Sequence, residues 1–157
     1  MNIEIKPLQN PDQARVCAEL MASSEPWLTL GRNFDDCLKL LNEPGKEIYI
    51  ARAAKDFVGF IVLQLRGPFT CYIQTIGITP KWRNRGVGTH LINFAEERIF
   101  RDSPNVFLCV SSFNTEAQKL YARLGYERVG ELKDYLVKGY SEILMRKTIG
   151  PITQKKR

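Results

Sequence analysis

A short basic segment in the middle of the chain has the composition of an anion-binding turn; it comprises Arg83, Asn84, Arg85, Gly86, Val87, Gly88 and Thr89. Arginine carries forked donors that suit phosphate oxygens, and glycine lacks the Cβ that would keep a phosphate away from the backbone. The segment follows an apolar run of strand type that Pro80 ends, and a helical pattern begins at Val87. Because the first N–H groups of a helix have no internal partners, we expect them to bind a phosphate here.

The spacing of this segment excludes two common phosphate-binding motifs. The Walker A pattern does not occur in the sequence, and the third glycine of G-x-G-x-x-G would fall on Leu91. The pattern Arg83-x-x-Gly86-x-Gly88 instead resembles the acetyl-CoA pyrophosphate loop of the GNAT acetyltransferase family, which is Gln/Arg-x-x-Gly-x-Gly/Ala after a strand. These few residues alone do not separate that loop from an ordinary glycine-rich turn with surface arginines.

A second motif further along the chain resembles the same family, whose pattern is Asn-x-x-Ala, then Tyr, then Gly-Phe. Here it reads Asn114-x-x-Ala117-x-x-x-Tyr121-x-x-x-Gly125-Tyr126. Asn114 is a suitable helix cap, and Tyr121 belongs to the apolar stripe of the helix that follows. With both motifs in the expected elements, the chain is identified as a member of the GNAT family over roughly residues 3–147.

The elements that must position these motifs alternate between strand and helix in the order β, α, α, β, β, β, α, β, α, β, β. The early strands are joined by tight turns and are therefore antiparallel, whereas the glycine loop and its helix form a crossover between two parallel strands. The pattern predicts an α+β protein with a mixed, mostly antiparallel seven-stranded sheet flanked by helices. The resemblance implies the acyl-CoA N-acyltransferase fold. We expect one N-acetyltransferase domain over residues 1–148 and a basic C-terminal tail over residues 149–157.

Composition narrows the functional class. The chain has 157 residues, of which 44% are hydrophobic and 25% charged, as is ordinary for a globular protein. It has no apolar run long enough for a membrane span, and its first residues do not resemble a signal peptide, so we expect a cytoplasmic protein. The net charge is +6, with three positive charges in the last three residues, Lys155, Lys156 and Arg157. No aromatic residues alternate with the basic ones, which argues against nucleic-acid binding.

Cysteine and histidine give no sign of a metal site or a disulfide framework. The four cysteines, Cys17, Cys37, Cys71 and Cys109, are scattered without C-x-x-C spacing, and His90 is the single histidine. We therefore predict buried reduced thiols and no metal.

The resemblance implies acetyl-CoA as the co-substrate and assigns the residues that hold it. In the family, the strand before the loop splays from the next strand, and the pantetheine arm lies between them. Gly77 lies within that strand, where a glycine often marks a bulge or a close backbone approach. The implied acetyl-CoA site consists of Ile76, Gly77, Ile78, Arg83, Asn84, Arg85, Gly86, Val87, Gly88, Thr89, Asn114 and Tyr121.

Tyr121 is the predicted catalytic residue, as the acid that protonates the departing CoA thiolate. Phenol and thiol have similar pKa values, about 10 and about 8.5, so the proton can pass without a large penalty. The alternative is a core aromatic residue whose hydroxyl is satisfied inside the protein.

The sequence does not reveal a general base. Some family members place a glutamate on the strand before the loop or on the strand that ends near Asn114, and the nearest positions here carry Tyr72 and Cys109. Neither is a convincing base at neutral pH. Glu25, beside Trp27 in a lid-like loop between the first two helices, and Asp134 in the last loop are acidic candidates for holding a cationic amine. Both would alternatively be solvated surface carboxylates, and deprotonation through ordered water would need no side chain.

The predicted function is direct transfer of an acetyl group from acetyl-CoA to a primary amine. The acceptor would be a small-molecule amine or a protein N-terminus, as in the ribosomal-protein alanine acetyltransferase branch of the family. A non-catalytic acyl-CoA-binding sensor is the alternative. The family often dimerises through its last strands, so the resemblance allows a homodimer, although the sequence does not give the oligomeric state.

Overall fold

The computed structural model describes residues 2–68 and 71–153. The strands are β1 (Glu4–Pro7), β2 (Glu47–Ala53), β3 (Asp56–Gln64), β4 (Tyr72–Ile78), β5 (Asn105–Ser111), β6 (Glu127–Lys133) and β7 (Ser141–Thr148). The helices are α1 (Pro11–Ala22), α2 (Phe34–Asn42), α3 (Val87–Ile99) and α4 (Thr115–Arg123), and a short 3₁₀ turn, Pro80–Trp82, precedes α3.

The seven strands form one sheet in the order β1-β2-β3-β4-β5-β7-β6. Strands β4 and β5 are parallel because α3 connects them by a crossover, and every other neighbouring pair is antiparallel. The predicted mixed, mostly antiparallel seven-stranded sheet with helices on both faces is therefore confirmed.

The helices cover the two faces of the sheet in pairs. On one face, α1 and α2 pack on β2 and β3, where Met21 and Leu41 meet Phe60 in a buried cluster. On the other face, α3 and α4 pack on the middle of the sheet, and Leu91 and Tyr121 belong to its larger buried cluster. Because helices cover both faces, the centre of the sheet is shielded from water, and the central strands β3 and β5 can be apolar along their whole length.

Strands β4 and β5 pair over only a short distance. Tyr72 pairs with Phe107 and Ile73 with Leu108, after which the strands diverge. Strand β5 nevertheless continues its pairing with β7 up to Ser111. The resemblance predicted this splay, which leaves the edge of β4 from Gln74 onward without a strand partner on the β5 side among the described residues.

Three helices begin at an asparagine cap and one does not. The side chains of Asn10, Asn33 and Asn114 accept hydrogen bonds from backbone N–H groups in the first turns of α1, α2 and α4. Helix α3 has Gly86 at its N-cap position instead, and among the described residues no side chain caps it.

Strand β7 ends at Thr148, and the basic residues Lys155, Lys156 and Arg157 lie outside the described residues. The division into a domain over residues 1–148 and a tail over residues 149–157 remains a prediction. None of the described helices has the length and apolar composition that crossing a bilayer would need.

Candidate active site

A narrow cleft of about 110 Å³ opens where β4 and β5 diverge. Its walls are residues 73–76 of β4, residues 108–111 of β5, and Asn114 and Tyr121 at the start and on the inner face of α4. The predicted co-substrate residues Ile76, Asn114 and Tyr121 are therefore brought together at one place. We call this space the cleft.

A second cavity of about 450 Å³ adjoins the cleft on the side of α1 and α2. Its lining is mostly apolar and aromatic and includes Leu40, Tyr72, Leu132, Tyr135 and Leu144. We call it the large cavity. Both spaces are lined by Trp27, Leu30, Gln74, Thr75, Cys109, Leu136 and Glu142. The loop predicted to be a lid supplies two of these shared residues, Trp27 and Leu30.

The start of α3 has the features of an anion site. Gly86 has φ +83°, a left-handed conformation that favours glycine, and a Cβ there would meet nothing within 4 Å. The open space and the uncapped N–H groups fit a phosphate.

Gly88 has a further role that the sequence did not indicate. A Cβ at this position would lie 3.2 Å from Ile78 Cδ1 and 3.2 Å from Leu120 Cδ2. The expectation that Gly88 leaves space for a phosphate is therefore incomplete, because its missing side chain also lets α3 pack closely against β4 and α4.

The arginines of the loop are partly engaged by the protein. Arg83 donates from Nε to the Ile78 carbonyl at 3.2 Å and from Nη2 to Ser24 Oγ at 3.1 Å. Arg85 stacks over the Trp82 ring with its Cζ 5.0 Å from the centroid. Arg83 therefore joins the glycine loop to the segment after α1, in addition to any contact with a ligand.

The two glycines of the central strands permit a close approach. Gly77 lies opposite Phe60, and a Cβ on Gly77 would be 2.5 Å from the Phe60 ring. A Cβ on Gly59 would likewise be 2.5 Å from the Gly77 carbonyl oxygen. Of the two readings of Gly77, the close approach is the one observed, and the nearest bulge lies at Gln74, between Ile73 paired with Leu63 and Thr75 paired with Val62.

Tyr121 is buried at the inner end of the cleft, with 6% of its surface exposed. Its ring packs edge-on against Tyr126, with the centroids 6.0 Å apart. Burial raises the pKa of Tyr121 to about 12, so the phenol is protonated at neutral pH and available as a donor. Within the described part of the chain, no protein group hydrogen-bonds to this hydroxyl, which does not match the alternative of a satisfied core tyrosine.

The positions considered for the base do not supply one. Tyr72 and Cys109 are hydrogen-bonded to each other, and burial raises the pKa of both, so neither is ionised near neutral pH. The Glu25 carboxylate accepts hydrogen bonds from the backbone and hydroxyl of Thr29. Asp134 accepts from the Gly139 N–H at 2.7 Å. Both carboxylates hold exposed turns, and neither lines the two cavities.

The structure reveals instead a glutamate that the sequence reasoning missed. Glu142 on β7 is 5% exposed, lies opposite Ser111 in the β5–β7 register, and lines both cavities. Burial raises the pKa of its carboxyl group, and a hydrogen bond with the Ser111 side chain opposes this. The available signal was its alternation with Leu144, which placed a carboxylate on an apolar strand face.

Comparisons with known proteins agree with this geometry. The family model described as "Acetyltransferase (GNAT) family" matches residues 13–126. The chain is 31% identical over 156 residues to the N-alpha-acetyltransferase RimI of Mycobacterium tuberculosis, and the match covers 94% of each protein.

Solved structures share the fold. A protein from Desulfovibrio desulfuricans assigned to the GNAT family superposes with a TM-score of 0.78 at 17% identity, over 95% of this chain and all of the other. An aminoglycoside 6'-N-acetyltransferase in complex with coenzyme A superposes with a TM-score of 0.75 at 20% identity, over 98% of this chain and 100% of the other.

Proposed function

This chain belongs to the GNAT acetyltransferase family and is an acetyl-CoA-dependent N-acetyltransferase, and on that premise we propose that it transfers the acetyl group directly to a primary amine. The observation that carries the proposal is the meeting of the cleft with the large cavity at a shared wall. A thioester in the cleft and an amine in the large cavity would face each other there, so no covalent enzyme intermediate is needed.

The start of α3 and the splayed strands are the places for acetyl-CoA. The pyrophosphate would lie at the N-terminus of α3, near Gly86, with Arg83 and Arg85 beside it. The backbone of Ile76 and Ile78 and the side chain of Asn114 would hold the pantetheine arm in the cleft. The Asn114 side-chain oxygen Oδ1 accepts from the Ala117 N–H at 3.3 Å. Its side-chain amide nitrogen has no acceptor among the described residues and is available for this contact.

Tyr121 would act as the acid that protonates the departing thiolate. Tyr121 lines the cleft, its hydroxyl has no competing partner among the described residues, and its pKa of about 12 keeps it protonated. A positioned acid of this kind typically contributes about 10²- to 10⁴-fold to the rate.

The acceptor that we propose first is a protein N-terminus. The support is the similarity to an N-alpha-acetyltransferase over nearly the whole of both chains. A small-molecule amine is the second acceptor class, favoured by the apolar lining of the large cavity. A screen of tetrapeptides with different first residues against small amines, with released CoA as the readout, tests both. Binding of acetyl-CoA without CoA release for any acceptor would contradict the proposed activity.

Two further expectations belong to this proposal. The cytoplasm suits the protein, because all four cysteines are free, as in a reducing compartment. A homodimer would form through the last strands, where β6 is an edge strand and Val129 is 55% exposed. Light scattering of the purified protein measures this directly.

A further inference from the structure

Glu142 is a buried carboxylate without a cation. Among the described residues no lysine or arginine forms an ion pair with it, and Ser111 is the side chain that hydrogen-bonds to it. The other buried glutamate, Glu96, has both Lys147 at 2.6 Å and the Tyr126 hydroxyl at 3.2 Å. A buried charge is costly unless something pairs with it. Glu142 therefore lacks a positive partner in a wall that faces two cavities.

Gln74 lines the same space and carries an amide oxygen without a donor in the described part of the chain. Its Oε1 is buried, and no group among the described residues donates to it. Gln74 is the extra residue of the bulge in β4, and it lines both the cleft and the large cavity. Bulges re-aim side chains and occur often beside active sites. Within the described residues, a carboxylate without a cation and an amide oxygen without a donor thus belong to two residues that line the space where the thioester and the amine would meet.

We propose that the Glu142 carboxylate and the Gln74 side-chain carbonyl form the subsite for the acceptor's ammonium group, and that Glu142 takes the proton that this group loses before attack. A primary ammonium has three N–H donors and one positive charge, which match these two acceptors. The inference rests on the proposed function. It places the base on β7, two strands away from the strand before the glycine loop.

The proton and electron balance of the step is complete with the groups named. Glu142 takes one proton from R–NH₃⁺, and the nitrogen lone pair forms the new C–N bond to the acetyl carbon. The C–S bond breaks with its electron pair going to sulfur, which Tyr121 protonates. The second proton lost by the nitrogen restores the tyrosine hydroxyl, and Glu142 returns its proton to solvent. One proton is released for each acetyl group transferred.

Other titratable groups share this space and shape its pH dependence. They are Tyr72 on β4, Cys109 on β5, Tyr135 in the loop before β7, Arg32 in the segment before α2, and Asp36 in the first turn of α2. Tyr72 and Cys109 stay neutral near pH 7 because burial raises the pKa of both. We therefore expect the ionisation of Glu142, whose pKa burial raises above the ordinary carboxyl value, to control amine binding at the sheet wall.

A binding experiment tests the subsite without acetyl-CoA. Propylamine serves as a minimal primary amine, and the ¹³Cδ signal of Glu142 is followed by NMR, with the Glu142→Gln spectrum as its assignment. Propylammonium should shift this signal and lower the raised pKa of Glu142, because a nearby cation favours the carboxylate. Gln74→Leu should weaken the binding by about tenfold, as expected when a hydrogen bond to a charged group is lost. A Glu142 signal that does not respond to propylammonium overturns the proposal.

A rate experiment tests the proton transfer. Propylamine and the peptide Ala-Ala-Ala-Ala are the acceptors, and kcat/KM is measured by CoA release from pH 6 to pH 10. Glu142→Gln should lower kcat/KM by about 10²-fold at pH 7. This loss should shrink as the pH approaches the pKa of the amine, where neutral amine becomes abundant. In the wild type, kcat/KM should begin to rise at a lower pH than in the variant, as Glu142 ionises. A Glu142→Gln variant with the wild-type rate and profile overturns the proposed base.

Glu96→Gln is the matched control, since Glu96 is a buried glutamate that lines neither cavity. It should lower the melting temperature by breaking the pair with Lys147, with turnover per folded molecule unchanged. Glu142→Gln should melt at the wild-type temperature or above, because it removes an uncompensated buried charge. A wild-type protein that acetylates neither acceptor while Glu142 still binds propylammonium would count against the proposed function and support the subsite.

Discussion

Tyr121 and Glu142 line the same cleft of about 110 Å³, the first from helix α4 and the second from strand β7. Burial raises the pKa of both groups, yet it prepares them for opposite tasks. The phenol, with a pKa of about 12, remains a proton donor at every working pH, whereas a carboxyl group with a raised pKa becomes a better acceptor once it is ionised. In the roles that we propose, Tyr121 and Glu142 would serve the two proton transfers of amide formation from different elements that line one cleft.

Tyr121→Phe should lower turnover by about 10²-fold and leave CoA affinity and melting temperature nearly unchanged. The ring packing against Tyr126 is kept, and no described group loses a hydrogen-bond partner. Rate, calorimetric affinity and thermal unfolding are measured on one preparation. A stable variant with full turnover would remove Tyr121 from the mechanism and leave solvent as the proton donor.

Gly86→Ala should weaken CoA binding, since a Cβ would enter open space at the anion site in a backbone with φ +83°. Gly45→Ala is a matched control, because Gly45 has φ +84°, open surroundings and no place in either cavity. Both variants should lose about 1 kcal/mol of unfolding free energy through backbone strain. Only Gly86→Ala should alter the Kd for CoA, and equal Kd values for the two variants would argue against the anion site.

Gly88→Val should destabilise the protein itself as well as weaken CoA binding. Even one added methyl would lie 3.2 Å from both Ile78 and Leu120, and the branched side chain would push α3 away from its neighbours. Overpacking of this kind typically costs about 1–3 kcal/mol. Thermal unfolding without CoA measures it, and an unchanged melting temperature would contradict the packing role of Gly88.

Cys109→Ala should retain turnover within a few-fold, and reducing agents should not alter the activity of the wild type. Burial raises the pKa of Cys109, so its nucleophilic thiolate is scarce at neutral pH. Mass spectrometry after incubation with acetyl-CoA alone is the check. A stable acetyl-enzyme that disappears in Cys109→Ala would contradict direct transfer.

Features encoded by neighbouring residues were predictable from the sequence. The glycine loop and the asparagine cap of α4 depend on residues close together in the chain, and the structure has both of them where the sequence places them. The antiparallel pairing of β2, β3 and β4 and the parallel pairing of β4 with β5 also followed from two hairpins and one crossover. The position of β7 between β5 and β6 was not predicted.

Features that depend on pairing between distant segments were not predictable. Glu142 lines the site because of the register of β7 against β5, and Gln74 lines it at a bulge against β3. Neither register can be read from local pattern, which is why the sequence analysis considered Tyr72 and Cys109 for the base. The packing role of Gly88 was unpredictable for the same reason, because the neighbours of an added Cβ, Ile78 and Leu120, belong to two other elements.

The short pairing of β4 with β5 should also affect the protein's local stability and its resistance to proteolysis. Beyond Ile73 the edge of β4 facing β5 is without a strand partner, so this part of the sheet should exchange its amide hydrogens faster than the β5–β7 ladder does. A pantetheine arm bound along that edge would slow the exchange and raise the melting temperature in proportion to the logarithm of acetyl-CoA concentration well above its Kd. We therefore expect resistance to proteolysis to track the supply of acetyl-CoA, so that a cell short of acetyl groups would also hold less of this enzyme.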